Sequence, residues 1–126
     1  MPDHTEIGMP YLLLVQEKSE ARRARSTENG RIAMDSMLAF AEGLRSRGIL
    51  IASDSLKSDA SGVRVEIRDG RRSLLDGPFT ESKEIVGGFF LIDCDSREQA
   101  LAIACECPAA AWATIEVRQS GPCYED

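Results

Sequence analysis

Apolar positions along this chain follow two spacings, one unbroken and one helical. "YLLLV", Tyr11 to Val15, is a short unbroken apolar run, which predicts a strand covered on both faces. A polar, Arg-rich connection follows. From about Thr27 to Arg47 the apolar residues Met34, Met37, Leu38, Ala41 and Leu44 fall at helical intervals, and Gly48 stands where a left-handed cap would end the helix. "ILIAS", Ile49 to Ser53, then predicts a second strand. In "VRVEIRDGRRSLL" an Asp-Gly pair separates two strand-like runs, the strongest short-range signal for a hairpin. "FFLID", Phe89 to Asp93, is a second unbroken apolar strand. "DSREQALAIACECP" predicts a helix, opened by a capping box (Ser96 with Gln99, or Asp95 with Glu98) and stopped by Pro108, with Leu101, Ala104 and Pro108 along its buried stripe. "WATIEVR" alternates as a strand, with Ala113, Ile115 and Val117 on one side and Trp112, Thr114 and Glu116 on the other.

This order is strand, helix, strand, extra hairpin, strand, helix, strand. It predicts an α+β, ferredoxin-like domain (βαββαβ with an added β-hairpin), an antiparallel sheet with two helices on one face. The two unbroken apolar runs take the central positions in that plan. Helices on one face leave apolar residues on the other, and a second copy about a two-fold axis is the economical cover, so a homodimer is expected. Residues 9–126 are read as the single domain. Residues 1–8 are read as a loose tail, or as lying upstream of a functional start at Met9.

Composition narrows the classes. At 126 residues with 43% hydrophobic and 29% charged residues, the chain can build one core without metal or disulfide support. No run approaches the ~20 apolar residues of a membrane helix, and no export signal is evident, which predicts a cytoplasmic protein without membrane contact. A net charge of −6 repels a phosphate backbone, so direct nucleic-acid binding is not expected. Two arginine groups, Arg22, Arg23, Arg25 and Arg31, then Arg64, Arg68, Arg71 and Arg72, read as solvated faces. Cys105 and Cys107 lie two apart, about 200° around a helix, and the chain has one His, so no metal site is expected. No Gly-rich phosphate loop, Ser-His-Asp spacing or haem motif is present, and no cofactor is expected.

The candidate chemistry gathers in "LLDGPFTESKEIVGGFF", Leu74 to Phe90. An Asp in a turn ordinarily accepts the N–H two residues on, but for Asp76 that residue is Pro78, which has none. The Asp76 carboxylate is left to bond the N–H of Phe79 or Thr80, to pair with Lys83 or an Arg, or to serve a pocket as general base. If Thr80 to Ile85 is extended, Glu81 and Lys83 share a side and Glu84 faces the other way. Gly87 and Gly88 open a covered strand, where glycine is explained either by packing against a dimer partner or by a gap that admits ligand. Tyr11, Phe89, Phe90 and Trp112 read as core or interface rather than as a substrate box.

"DGPFTESKEIVGGFFLID", with "RVEIRDGRRSLL" before it and "SREQALAIACECPAA" and "IEVR" after it, resembles the DGPF branch of the YCII-related family from about Met9 to Arg118. The resemblance implies a dimeric α/β barrel of ferredoxin-like units. It implies little about chemistry: relatives include dehydrochlorinase-like and lactone-isomerase-like enzymes, and genes of the branch neighbour extracytoplasmic-function sigma factors. Many relatives carry a His in the first helix, where this chain has Asp35, Ser36 and Met37, and its sole His4 lies in the tail. Whether the protein is an enzyme stays open. One expectation is a lyase or isomerase that moves a proton on a small organic acid or lactone, with Asp76 as base, Lys83 or Arg118 steadying an anion, and Phe79, Glu81, Glu84, Gly87 and Gly88 facing the ligand. The other is a non-catalytic sensor or accessory of a sigma factor.

Overall fold

Burial alternates residue by residue along the first strand, β1 (Met9–Lys18), with Tyr11, Leu13, Val15 and Glu17 all within the protein. A computed structural model describes residues 8–125; His4 and the rest of residues 1–7 of the proposed tail lie outside them. The Arg-rich connection, for which the sequence suggested no element, forms a short helix, α1 (Ser19–Ala24). The long helix α2 (Thr27–Ser46) opens with the Ser26 hydroxyl accepting the Asn29 N–H at 3.1 Å and closes at Gly48, which takes a left-handed φ of 72°. Strand β2 (Leu50–Ser55) follows. The Asp69-Gly70 turn, with φ of 53° and 76°, joins β3 (Val63–Arg68) to β4 (Arg71–Asp76), as its positive-φ pair requires. Strand β5 (Glu84–Cys94), helix α3 (Arg97–Glu106) and strand β6 (Thr114–Gln119) complete the order. At α3 the Ser96 hydroxyl accepts the Gln99 N–H, and the Gln99 side chain accepts the Asp95 N–H in return.

The described residues thus form an α+β structure of antiparallel strands and three α-helices. The main sheet runs β2-β5-β1-β6, with β1 and β5 central, and β3-β4 forms a separate two-stranded sheet. One face of β1 and β5 supplies Leu13, Phe90 and Ile92 to the core, and α2 and α3 cover it through Ala41, Leu44, Ala100 and Ile103. Burial of each fully enclosed Leu or Ile stabilises the fold by roughly 1.5–3 kcal/mol. Phe40 meets Phe90 edge to face, with centroids 5.1 Å apart. The α3 stripe differs from the expected one. Ala100, Ile103 and Ala104 are buried whereas Leu101 is exposed, because small side chains let the helix settle closely on the sheet and turn Leu101 aside.

On the other face of the sheet, Leu12 stands opposite Leu91 and Leu14 opposite Phe89, all four half-buried. The hairpin is also unusual. Val63, Val65, Ile67 and Leu74 share one of its faces by register, and each is more than half exposed. A two-stranded sheet has little stability of its own, so this face is a second apolar surface left open on the molecule.

Candidate functional site

Glu17 ends the inward row of β1, and only 3% of it is accessible to solvent. A buried carboxylate is costly unless it is paired, and here both oxygens are occupied: Oε2 accepts from Arg22, and Oε1 accepts from Arg25 Nη2 at 2.6 Å. Arg22 also donates from Nη2 to the Leu56 carbonyl at 2.6 Å, which fastens α1 to the end of β2. The Arg25 guanidinium lies 4.7 Å from the centre of the Trp112 ring. These contacts overturn the reading of a solvated face for Arg22 and Arg25, which a carboxylate buried on the neighbouring strand draws inward, while Arg23 and Arg31 of the same group are exposed.

Beside this cluster a cavity of about 330 Å³ opens between α2 and the sheet. Its apolar walls come from Val15, Met34, Met37, Leu38, Phe90 and Trp112, and Glu17, Arg22 and Arg25 form its polar end. Met34 and Leu38 belong to the apolar spacing that predicted α2, and they are 39% and 54% exposed, since they stand at the pocket and not in the core. Trp112 was expected on the β6 strand; it precedes it, at the end of the turn Pro108–Ala111, and that position brings it over Arg25. Cys107 packs against the same wall, its sulfur 3.9 Å from that of Met37. Burial pushes the Cys107 thiol pKa up, an effect partly offset by the backbone N–H groups of Ala109 and Ala110.

Of the residues in the motif Leu74 to Phe90, Gly87, Gly88 and Phe90 line this cavity. A side chain on Gly87 would overlap the Glu17 carboxylate, and one on Gly88 would stand 3.0 Å from the Asp54 carbonyl. Close approach within the chain therefore accounts for both glycines. The remaining residues of the motif lie elsewhere. Asp76 ends β4 exposed, and its carboxylate makes no ion pair among the described residues. The Phe79 N–H, a candidate partner for Asp76, donates instead to Asp59 at 3.0 Å, and Asp59 also pairs with Arg23 at 3.2 Å. Arg64 lies 3.9 Å over the Phe79 ring and donates to the Ser82 hydroxyl at 2.9 Å. Thr80 and Glu81 form a turn, closed by the Ser82 N–H on the Phe79 carbonyl, and β5 begins only at Glu84. The extended segment that would have set Glu81 beside Lys83 is absent from 80–83. The buried Ser19 hydroxyl donates to the Ser82 carbonyl at 2.8 Å and pins this stretch to α1. Lys83 and Glu84 are exposed, and Arg118 is exposed on β6, 3.8 Å from Glu116.

Residues 9–120 match the family model described as the YCII-related domain. The chain belongs to that family. The YCII-related domain therefore spans every element described above, from β1 to β6. The chain is also similar, at 30% identity over 96 residues, to an uncharacterized protein of Rhizobium meliloti (strain 1021); the match covers 76% of this chain and 77% of that protein. Among the described residues of this YCII-related chain, no group of three or more His, Cys, Asp or Glu side chains could hold a metal ion, and no helix is long and apolar enough to cross a membrane. Glu17, Arg22, Arg25 and Asp59 were missed from the sequence. A signal for the first three existed, an acidic residue continuing the inward parity of Tyr11, Leu13 and Val15 with arginines five and eight residues on.

Proposed function

We propose that this YCII-related protein is a small-molecule-binding homodimer whose ligand, a small organic acid or lactone, enters the cavity between α2 and the sheet. The observation that carries this reading is the cavity itself, with apolar walls at one end and a buried, doubly paired carboxylate at the other. A few convergent polar groups in an otherwise apolar cleft are the usual composition of a ligand site. The strand order β2-β5-β1-β6 with helices on one face supports a ferredoxin-like subunit. The half-buried pairs Leu12 with Leu91 and Leu14 with Phe89 support closure of two such sheets into a dimeric barrel. On this reading the protein works in the cytoplasm as a lyase or isomerase that moves a proton. Asp76 and Lys83 belong to the reaction if the partner subunit closes over their corner. Thermal shift against a panel of organic acids and lactones, followed by turnover assays with Asp76→Asn, tests it; a panel without a stabilising member sinks the reading.

A second reading is favoured by one observation: Asp76 and Lys83 do not line the cavity. Binding without turnover is then the function, and the protein is a sensor or accessory beside an extracytoplasmic-function sigma factor. Ligand binding that leaves every panel member chemically unchanged, with capture of the sigma factor by the dimer, selects this alternative.

A further inference from the structure

We propose that the cavity beneath α2 takes a hydrophobic monocarboxylate, and that Arg25 receives the carboxylate group. The inference rests on the small-molecule reading above and chooses between its two ligand classes, acid over lactone.

Charge decides the class. At the polar end Arg22 and Arg25 face one carboxylate, Glu17, which leaves one positive charge in excess. Asp54 also borders the cavity, but it pairs in register with Phe89, whose side of the sheet is opposite to Phe90, and its Oδ1 accepts the Ser55 N–H at 2.9 Å. A single negative charge on the ligand completes the balance, and a dianion exceeds it. Ser26 and Gly30, at the amino end of the 20-residue α2, border the same space, so the positive end of that helix adds to the preference.

The donor inventory decides the residue. Arg22 has both terminal nitrogens engaged, one with Glu17 and one with the Leu56 carbonyl. Arg25 uses Nη2 alone, at Glu17, and lays its face on Trp112. A guanidinium carries five N–H donors in a fixed fork, and the part of the Arg25 fork without a protein acceptor among the described residues suits a carboxylate bound through both oxygens. Met34, Met37, Leu38 and Phe90 give the cavity an apolar wall, so a ligand without an apolar body, such as inorganic phosphate, forgoes that contact.

Trp112 is the sole tryptophan, and its emission reports on the cavity directly. Phenylacetate, phenylacetamide and γ-phenyl-γ-butyrolactone are titrated against the full chain by fluorescence and calorimetry. The expected result is saturable binding of phenylacetate at least tenfold tighter than either neutral probe. Arg25→Gln should weaken phenylacetate at least tenfold and change phenylacetamide by less than twofold. Leu38→Glu, a change at an exposed helix position that leaves the core intact, should weaken phenylacetate at least fivefold by repulsion. Equal affinity for the three probes, or phenylacetate binding unchanged in folded Leu38→Glu and Arg25→Gln, overturns the carboxylate assignment and leaves the small-molecule reading standing. Absence of saturable binding by all three overturns the assignment, while a hit elsewhere in the wider acid and lactone panel would still uphold the small-molecule reading.

Discussion

The Glu17 carboxylate occupies the space in which a side chain on Gly87 would stand. Two neighbouring strands thus share one volume, a carboxylate from β1 in the gap left by a glycine on β5. The β1–β5 register shifts at Val15/Gln16, and this irregularity leaves Gly87 without a Cα partner while Gly88 pairs with Val15.

Gly87→Ala should therefore destabilise the protein by about 1–3 kcal/mol, the usual penalty for overfilling a packed site. Glu17→Ala should cost about 3 kcal/mol, because it strands Arg22 and Arg25 beside a buried void. The double variant should be more stable than the sum of the two losses predicts, since removal of the carboxylate makes room for the new methyl group. Urea unfolding of all four proteins measures the coupling; strict additivity would show that the two residues do not compete for space.

Asp59 and Asp76 should behave in opposite ways. Asp59 accepts the Phe79 N–H and pairs with Arg23, and its side chain is only 7% exposed. Asp59→Ala should lose about 1–3 kcal/mol, the cost of an abandoned buried donor. Asp76 is exposed and unpaired among the described residues, so Asp76→Ala should stay within about 0.5 kcal/mol. Thermal unfolding of the pair checks the contrast.

The four thiols should separate into two classes. Cys105 and Cys123 are exposed, whereas Cys94 and Cys107 are buried. Burial raises the Cys94 pKa, and the charges of Asp93 and Asp95 raise it further; burial likewise raises that of Cys107. At neutral pH a disulfide reagent should label two thiols quickly and the others only on unfolding. The sign for stability follows: a folded-state pKa above the unfolded value favours the folded form below the unfolded thiol pKa. That contribution is lost as pH rises through the folded pKa. Urea midpoints should accordingly fall above about pH 8.5, and less so in Cys94→Ser/Cys107→Ser once its lower baseline is subtracted.

The proposed dimer makes the sheet's open face the interface. Leu91→Lys should leave a folded subunit, because the long side chain can carry its charge to water from a half-buried strand position. In a closed barrel the same charge would be enclosed. Sedimentation velocity at micromolar concentration should show wild-type dimer and mutant protomer; a wild-type protomer would remove the barrel from the account.

Much of the fold was legible because it depends on local rules. Ser96 with Gln99, Asp69 with Gly70, and the left-handed Gly48 appear where short-range chemistry places them. The central positions of β1 and β5 followed from their unbroken apolar runs. The site was less legible because its parts meet across distance. Trp112 reaches Arg25 from the far end of the chain, and Asp59 takes the hydrogen bond that local turn logic offered to Asp76. The condition that Thr80 to Ile85 be extended is not met over 80–83 for a related reason: the Phe79 carbonyl closes a turn on Ser82, and Ser19 holds the result in place.

The most direct test is a crystal structure of the protein soaked with phenylacetate. Its carboxylate should lie against Arg25 and its ring among Met34, Met37 and Trp112, with Glu17 still paired to Arg22. Ligand density beside Asp76 and Lys83, with the space beneath α2 holding only water, would contradict this placement.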